Sequence, residues 1–361
     1  MSCTNPMRAF DTGYLTENGK PLYYITKKKL AFIRKPINAD VANSQRPQHV
    51  WQDILIKEFT EIPCGKCQSC RLDYSKEWMQ RCMLEQKLWA YNEMITLTYD
   101  EEHLPKQIGA NIKENDVNFE TGEINPETKF KEVPTLKKDD VQKFLKRLRR
   151  YWQYNYGQDN IRFYMCGEYG DQKGRPHYHL LMFNFEVHDK EFYKYSKKGF
   201  KMYHSQVIED LWGKGHIELN EVNAETCAYV ARYIMKKQKG GNAKELAELK
   251  GQVPEYTNCS RKPGIGGNYF EEHKEQIYSS DKIYINTGKG LDTALPSKYF
   301  DRLYDAEEHD LMEKIKARRK ELAEQRQATQ VMLSGLSPEK IREYKANALR
   351  ERIKKLQRSG I

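Results

Sequence analysis

No run of about 18 or more apolar residues occurs in this 361-residue chain, so no membrane-crossing helix is expected. The opening Met1-Ser2-Cys3-Thr4-Asn5-Pro6 lacks a basic segment followed by an apolar core, which argues against a secretory signal. Without such a signal, the eight cysteines read as cytosolic thiols or metal ligands rather than disulfides. No Gly-x-x-x-x-Gly-Lys-Ser/Thr pattern appears, so a fused P-loop helicase is excluded. No repeat recurs at a fixed period. The hydrophobic fraction is low, at 39%, yet the length suffices for one large domain or two ordinary ones with a real core. What the chain has in plenty is aromatic and basic side chains: 24 tyrosines and a net charge of +10, from 61 basic and 51 acidic residues. The excess suits a polyanionic partner such as nucleic acid, although solubility alone would also account for it.

The most informative segment is Gly174-Arg175-Pro176-His177-Tyr178-His179-Leu180-Leu181-Met182-Phe183. Side chains alternate faces along a strand, so His177 and His179 project together while Tyr178 and Leu180 point the other way. Two imidazoles on one strand face supply half of a metal site. Arg162-Phe163-Tyr164-Met165-Cys166-Gly167-Glu168 reads as the partner strand of a hairpin. Glu168, nine residues before His177, then joins the pair as a third ligand; turn length leaves Asp171 as the alternative. Mixed nitrogen and oxygen ligands suit Mg²⁺ or Mn²⁺ when a phosphate fills the open positions. In Tyr229-Val230-Ala231-Arg232-Tyr233-Ile234-Met235-Lys236, two tyrosines four apart share a helix face, and Lys236 joins them. A phenol is a weak nucleophile at its ordinary pKa of about 10. A nearby cation such as Lys236 would stabilise phenolate or developing phosphate charge.

Around these motifs the chain predicts a helix over 71–92, a strand over Met94–Tyr99, and a polar insertion over 100–134 with a small hairpin near Thr121-Gly122. A helix capped by Thr135 buries Val141, Phe144, Leu145, Leu148 and Trp152. The tyrosine helix spans 223–238, after a short strand at Gly215–Leu219. Residues 1–70 and 186–215 read as mostly irregular, with a strand-like run at Leu22–Ile25. The order of elements predicts an α+β fold, an antiparallel sheet with helices on one face. From about 301 the chain is helical and charged; Ser337-Pro338 suits the start of the last helix. Residues 336–361 carry eight basic and three acidic side chains.

Cys64-x-x-Cys67-x-x-Cys70 has the tight spacing of metal ligands, and structural zinc needs four. Cys3 is the expected fourth, with Cys82 next; an iron–sulfur cluster would need four as well. Cys166, Cys227 and Cys259 read as ordinary thiols. Ser260-Arg261-Lys262-Pro263-Gly264-Ile265-Gly266-Gly267 is a basic loop, in which Arg261 and Lys262 could meet DNA while glycines let backbone approach phosphate. The last helix suits a non-specific electrostatic arm, an exposed helix or a coiled-coil contact.

Taken together and in order, Ile95-Thr96-Leu97-Thr98-Tyr99, Gly167-Glu168-Tyr169-Gly170, Gly174–His179 and Tyr229–Lys236 resemble the motifs of rolling-circle replication initiators of the HUH endonuclease superfamily. The likeness is strongest to those of microviruses, the gokushovirus group in particular. Met1-Ser2-Cys3, Cys64-Gly65-Lys66-Cys67 and Ser260–Gly266 also resemble that group, so the likeness spans residues 1–300. It implies an HUH/RRM-like nuclease core over 93–300 that cleaves one strand at an origin, stays joined through a 5′-phosphotyrosine, leaves a 3′-hydroxyl and later rejoins the ends. An N-terminal zinc-binding region over 1–92 and a basic helical tail over 301–361 would flank it. Carried over, His177, His179 and Glu168 hold Mg²⁺ or Mn²⁺, Tyr229 and Tyr233 are nucleophiles, and Lys236 assists. Single-stranded and origin DNA, a host helicase and polymerase, and the host cytoplasm follow as partners and location. Two other classes stand beside this reading. One is a non-catalytic, zinc-stabilised DNA-binding protein whose tyrosines stack on bases. The other is a His-x-His metalloenzyme on a β-barrel, which would need many more strands.

Overall fold

The computed structural model describes residues 3–15, 21–28, 31–36, 51–56, 58–110, 130–170, 174–196, 199–236, 248–287 and 290–358. Among them run sixteen strands: β1 (Met7–Leu15), β2 (Pro21–Thr26), β3 (Ala31–Pro36), β4 (Trp51–Ile56), β5 (Thr60–Ile62), β6 (Asn92–Thr98), β7 (Lys106–Ala110), β8 (Phe130–Pro134), β9 (Arg162–Tyr169), β10 (Pro176–Phe183), β11 (Glu191–Tyr195), β12 (Lys201–His204), β13 (Ile217–Glu221), β14 (Tyr256–Cys259), β15 (Ile283–Asn286) and β16 (Leu291–Ala294). Eight helices accompany them: α1 (Gln68–Lys87), α2 (Lys138–Tyr156), α3 (Gln206–Trp212), α4 (Ala224–Lys236), α5 (Gly267–Ser280), α6 (Lys298–Glu307), α7 (His309–Ser334) and α8 (Pro338–Arg358). They form two compact units, one from Met1–Arg71 with Ala323–Arg358 and a larger one built mainly from Leu72–Leu322.

In the smaller unit β1 pairs antiparallel with both β2 and β5, and β3 pairs with β4. The segment expected to be mostly irregular is thus largely stranded. Its strands are short and polar on one side, which weakens the alternation that would reveal them. Ser337 caps α8 as expected, its hydroxyl accepting from the Lys340 amide.

The larger unit is organised by a seven-stranded sheet in the order β11-β12-β13-β6-β10-β9-β14, with every pairing antiparallel. The histidine strand β10 lies between β6 and β9, deep in the sheet. Its odd and even side chains enter two separate cores. Tyr178, Leu180 and Met182 join Ile95, Leu97, Phe163 and Met165 beneath α2 and α3, whose Phe144, Leu148, Trp152, Ile208 and Trp212 cover them. Leu181 and Phe183 join Met94, Tyr164 and Cys166 on the other face, covered by Cys82 and Leu84 of α1, Val230 of α4, Phe270 of α5 and Phe300 of α6. The expectation of helices on one face is therefore corrected: both faces are covered. The reason is in the strands, since β9 and β10 are buried at nearly every position, and a sheet apolar on both sides needs cover on both sides.

Two further expectations change. Thr135 does not cap α2, whose N-cap is Lys137 without a side-chain cap bond. The Thr135 hydroxyl instead accepts from the Val253 amide, and the Lys137 amide donates to the Tyr178 hydroxyl, 2.8 Å away. Residues 186–215, expected to be irregular, contain β11, β12 and α3. Lysines and tyrosines interleave there, so charge masks the strand pattern. The hairpin expected near Thr121-Gly122 lies outside the described residues; β7 and β8 on either side of it pair antiparallel.

One buried ion pair fastens the far side of the sheet. Glu85 of α1 is fully buried and accepts from Arg162 Nε of β9 at 2.5 Å, from Trp89 Nε1 at 3.2 Å and from the Gly266 amide at 2.6 Å. Arg162 in turn donates to the carbonyls of Pro263 and Gly264. Every charge is matched by donors or acceptors, which offsets the cost of taking it out of water. Replacing Arg162 with Met would leave Glu85 buried and unpaired. We expect the larger unit to lose about 3–5 kcal/mol of stability, read as a lower urea midpoint by circular dichroism, with Glu85→Leu/Arg162→Met less damaged than the sum of its single changes.

Candidate functional site

The antiparallel register places His177 opposite Glu168 on β9 and Thr98 on β6, and His179 opposite Cys166 and Thr96. All these side chains belong to the same sheet face as Leu181 and Phe183. The two imidazoles lie nearly parallel, 6° apart, with ring centroids 6.4 Å apart. His179 and Glu168 are each 5% exposed, and His179 Nε2 lies 3.1 Å from Glu168 Oε1. From α4, which packs on this face through buried Cys227, Val230 and Ala231, the Tyr229 hydroxyl comes within 3.4 Å of His179 Nε2. The tyrosine ring stands edge-on to the imidazole. Tyrosine, histidine and carboxylate thus converge from three elements separated by up to 61 positions in the chain.

Each histidine is oriented through Nδ1. His177 Nδ1–H donates to the Arg175 carbonyl at 2.8 Å, which leaves Nε2 with a free lone pair. His179 Nδ1 lies 3.0 Å from the Thr96 hydroxyl. A hydroxyl both donates and accepts, so Thr96 matches either tautomer of His179. It holds the ring whether Nε2–H donates to Glu168 or Nε2 offers its lone pair to a cation. Fixing one ring nitrogen so that the other can ligate is the usual support of a histidine metal ligand. On chemistry, then, the two imidazoles and the carboxylate fit a divalent cation. His177 stands apart from the His179–Glu168 pair: among the described residues, only two other groups bring three or more such donor atoms within 4.8 Å of one another. Burial lowers the His177 pKa, with the neighbouring His179 adding to the effect, which keeps the imidazole neutral and available.

Thr96, Arg175 and Gly170 were not singled out as site residues from the sequence. Gly170 leaves room for the His177 ring, since a Cβ there would sit 3.1 Å from Cε1. The signal for Thr96 was present as a hydroxyl at an inward position of a β-branched strand. Asp171, the alternative to Glu168, and the side chains of Tyr233 and Lys236 lie outside the described residues. Arg261 and Lys262 are exposed, as a DNA contact requires. The glycines beside them serve packing rather than open approach to phosphate. A Cβ on Gly264 would meet the Tyr299 hydroxyl at 2.8 Å, and one on Gly267 would meet Pro263 at 2.9 Å.

In the smaller unit, the sulfurs of Cys3, Cys64, Cys67 and Cys70 lie within 4.8 Å of one another. Cys3 Sγ and Cys67 Sγ are 3.8 Å apart, close to the edge of about 3.8 Å of a tetrahedron with Zn–S bonds of about 2.3 Å. Amides of Lys66 and Cys67 point at Cys64 Sγ, and that of Cys64 points at Cys3 Sγ. Burial works against the Cys67 thiolate, but hydrogen bonds from Thr4 and Cys70 outweigh it and bring the pKa down to about 6. Four thiols so placed can hold a metal such as zinc. Cys82 is instead fully buried in the core of the larger unit, so Cys3 is the fourth member. Cys166 and Cys227 are buried in the same core, and Cys259 packs against it.

Comparison with known proteins bears on both groups. Residues 92–238 match the family model of the replication-associated protein ORF2. Replication-associated protein ORF2 of Spiroplasma virus 4 is 35% identical over 266 residues, covering 73% of this chain and 74% of that protein. Replication-associated protein VP4 of Bdellovibrio phage phiMH2K is 32% identical over 269 residues, 73% and 75% of the two chains. The chain belongs to the replication-associated proteins of small phages, of the microvirus type. A further member, replication-associated protein ORF4 of Chlamydia phage 1, is 29% identical over 236 residues, 64% of this chain and 51% of that one. No solved structure matches. Within the larger unit the family match runs from the first residue of β6 to just beyond α4, and so includes every element that carries the histidines, Glu168 and Tyr229. Among the described residues no helix is long and apolar enough to cross a membrane.

A pH dependence follows from the buried histidine. Folding lowers the His177 pKa, so its contribution to stability is complete above the ordinary value of about 6.5 and is lost as pH falls through the lower folded value. In the metal-free protein, the His177 imidazole should titrate below about 6.5 by NMR; a midpoint above that value would contradict the burial argument.

Proposed function

We propose that this replication-associated protein is a metal-dependent DNA strand nickase and ligase that starts rolling-circle replication of a small circular single-stranded DNA phage genome. The observation that carries this reading is the Tyr229 hydroxyl 3.4 Å from His179 Nε2, itself 3.1 Å from Glu168. It sets a nucleophile beside a ligand set. In this reading residues 93–300 form an HUH-type endonuclease core, 1–92 carry the zinc-binding region, and 301–361 form a basic helical tail.

Tyr229 Oη attacks a backbone phosphorus, and the P–O3′ bond breaks. The phenol gives up its proton, the 3′-oxygen ends as a hydroxyl that can prime synthesis, and the 5′-phosphate stays on the tyrosine. A divalent ion, Mg²⁺ or Mn²⁺, would polarise the phosphate oxygens when bound by His177, His179 and Glu168. Thr96 and the Arg175 carbonyl keep the imidazoles aimed. Tyr233 supplies a second nucleophile for the rejoining transfer, and Lys236 counters the charge that builds on phenolate and phosphate. Arg261 and Lys262 contact the DNA backbone, which fixes position rather than sequence. Host helicase and polymerase would extend the 3′-end, in the host cytoplasm. Zn²⁺ on Cys3, Cys64, Cys67 and Cys70 is structural.

The test is cleavage of single-stranded circular DNA with Mn²⁺ or Mg²⁺ on a denaturing gel. Wild type should give a nick and a covalent protein–DNA band. His177→Ala and Tyr229→Phe/Tyr233→Phe should lose both by at least about 100-fold while still binding DNA. Tight binding with no metal-dependent nick on an origin-bearing circle would instead favour a zinc-stabilised DNA-binding protein. For the cysteine site, elemental analysis should find one zinc per chain, with Cys67→Ser losing it and lowering the melting temperature.

A further inference from the structure

The β11–β12 hairpin has an unusual surface. Residues 188–204 contain five aromatic rings and five lysines against two acidic residues. Every residue of β11 is exposed, including Phe192 at 54%, Tyr193 at 60% and Tyr195 at 61%, and Phe200 beyond the turn is exposed at 39%. An edge strand that leaves this much aromatic area in water is a binding surface rather than a structural one. The rings are paired with cations: Lys194 Nζ stands 4.6 Å from the Tyr193 centroid and Lys190 Nζ 4.4 Å from that of Tyr203. Phe192 packs on Tyr195 and Tyr203, with centroids 5.1 and 6.2 Å away. The Phe192–Lys194 step is a register irregularity, and a bulge with lysine on an edge discourages another strand from pairing there. That disfavours a second copy or a peptide added edge to edge.

The hairpin also continues the sheet that carries the candidate site. Glu218, which pairs with Lys194 at 2.7 Å, lies opposite Thr96, and Thr96 lies opposite His179. Lys194 therefore stands on the histidine face, four strand spacings from β10, roughly 19 Å at about 4.8 Å per strand. Aromatic faces beside ammonium groups, on a sheet edge in line with the site, match the chemistry of unpaired bases on a phosphate chain.

We propose that the β11–β12 hairpin is a stacking platform for single-stranded DNA, holding the strand that passes over the His177–His179 face. The position of that strand rests on the nickase reading; the binding itself does not. The test uses the full chain and fluorescently labelled oligothymidylate of about 20 nucleotides, followed by anisotropy. Tyr193→Ser/Tyr195→Ser should bind about tenfold or more weakly, since each lost stack is worth that order. Tyr193→Phe/Tyr195→Phe, which keeps the rings, should bind as wild type, and both should melt as wild type because the side chains are exposed. Unchanged affinity in the serine variant overturns the proposal, and a change in its sedimentation with unchanged affinity would make the edge a protein interface instead. If wild type fails to nick origin circles yet binds oligothymidylate through these rings, the nickase reading falls and the platform stands.

Discussion

The strict alternation of side chains along β10 is the constraint from which the rest of the larger unit follows. Tyr178 is buried toward α2, where its hydroxyl donates to the Lys137 carbonyl and accepts from the Lys137 amide. His177 and His179 are thereby committed to the opposite face. A slip of one residue would put two imidazoles into the core beneath α2 and a tyrosine into the site. Hydrogen-bonded ladders to β6 and β9 on both sides forbid that slip, and two apolar cores of unlike shape penalise it further. The polar face is thus fixed by its apolar reverse.

Burial and charge then divide the labour between the two ends of that face. Toward Leu181 and Phe183 the sheet is dry and closed by α1, α4, α5 and α6. There a carboxylate survives only because Arg162, Trp89 and the Gly266 amide all meet Glu85. Toward His177 the cover thins, and a histidine is half-buried rather than sealed. The same Glu85–Arg162 couple holds the carbonyls of Pro263 and Gly264, while Arg81 Nε holds that of Ile265. The exposed Arg261 and Lys262 consequently project from an anchored loop, not from a freely moving one. Cations on a fixed support lose less freedom when they meet a phosphate than cations on a loose one.

Much of the site was legible because it depends on local periodicity. The two-residue spacing of the histidines gave their shared face, and the hairpin gave Glu168. The cysteine spacing gave three ligands, with Cys3 brought in from across the smaller unit as expected. What stayed hidden depends on contacts distant in sequence. The helices on the reverse of the sheet could not be assigned to a face until β9 and β10 proved buried on both sides. Thr135 carried a cap signature, yet Val253, 118 residues away, takes its hydroxyl. β11 and β12 were obscured by lysines that serve as surface, and the glycines of the basic loop by aromatic neighbours supplied by α6.

The placement of nucleophile and ligands on different kinds of element has a mechanical consequence. The histidines and Glu168 sit on neighbouring central strands locked in register, so their geometry changes little. Tyr229 and Tyr233 sit on a helix, where four residues rise about 6 Å. Only one phenol can occupy the position 3.4 Å from His179 Nε2 that Tyr229 holds. For Tyr233 to reach the same phosphate, either the helix or the strand of DNA must move by about that rise. A second transfer is therefore separated from the first by a displacement rather than by a change of metal ligands. The rigid sheet defines one reacting point, and the helix offers two reagents to it in turn.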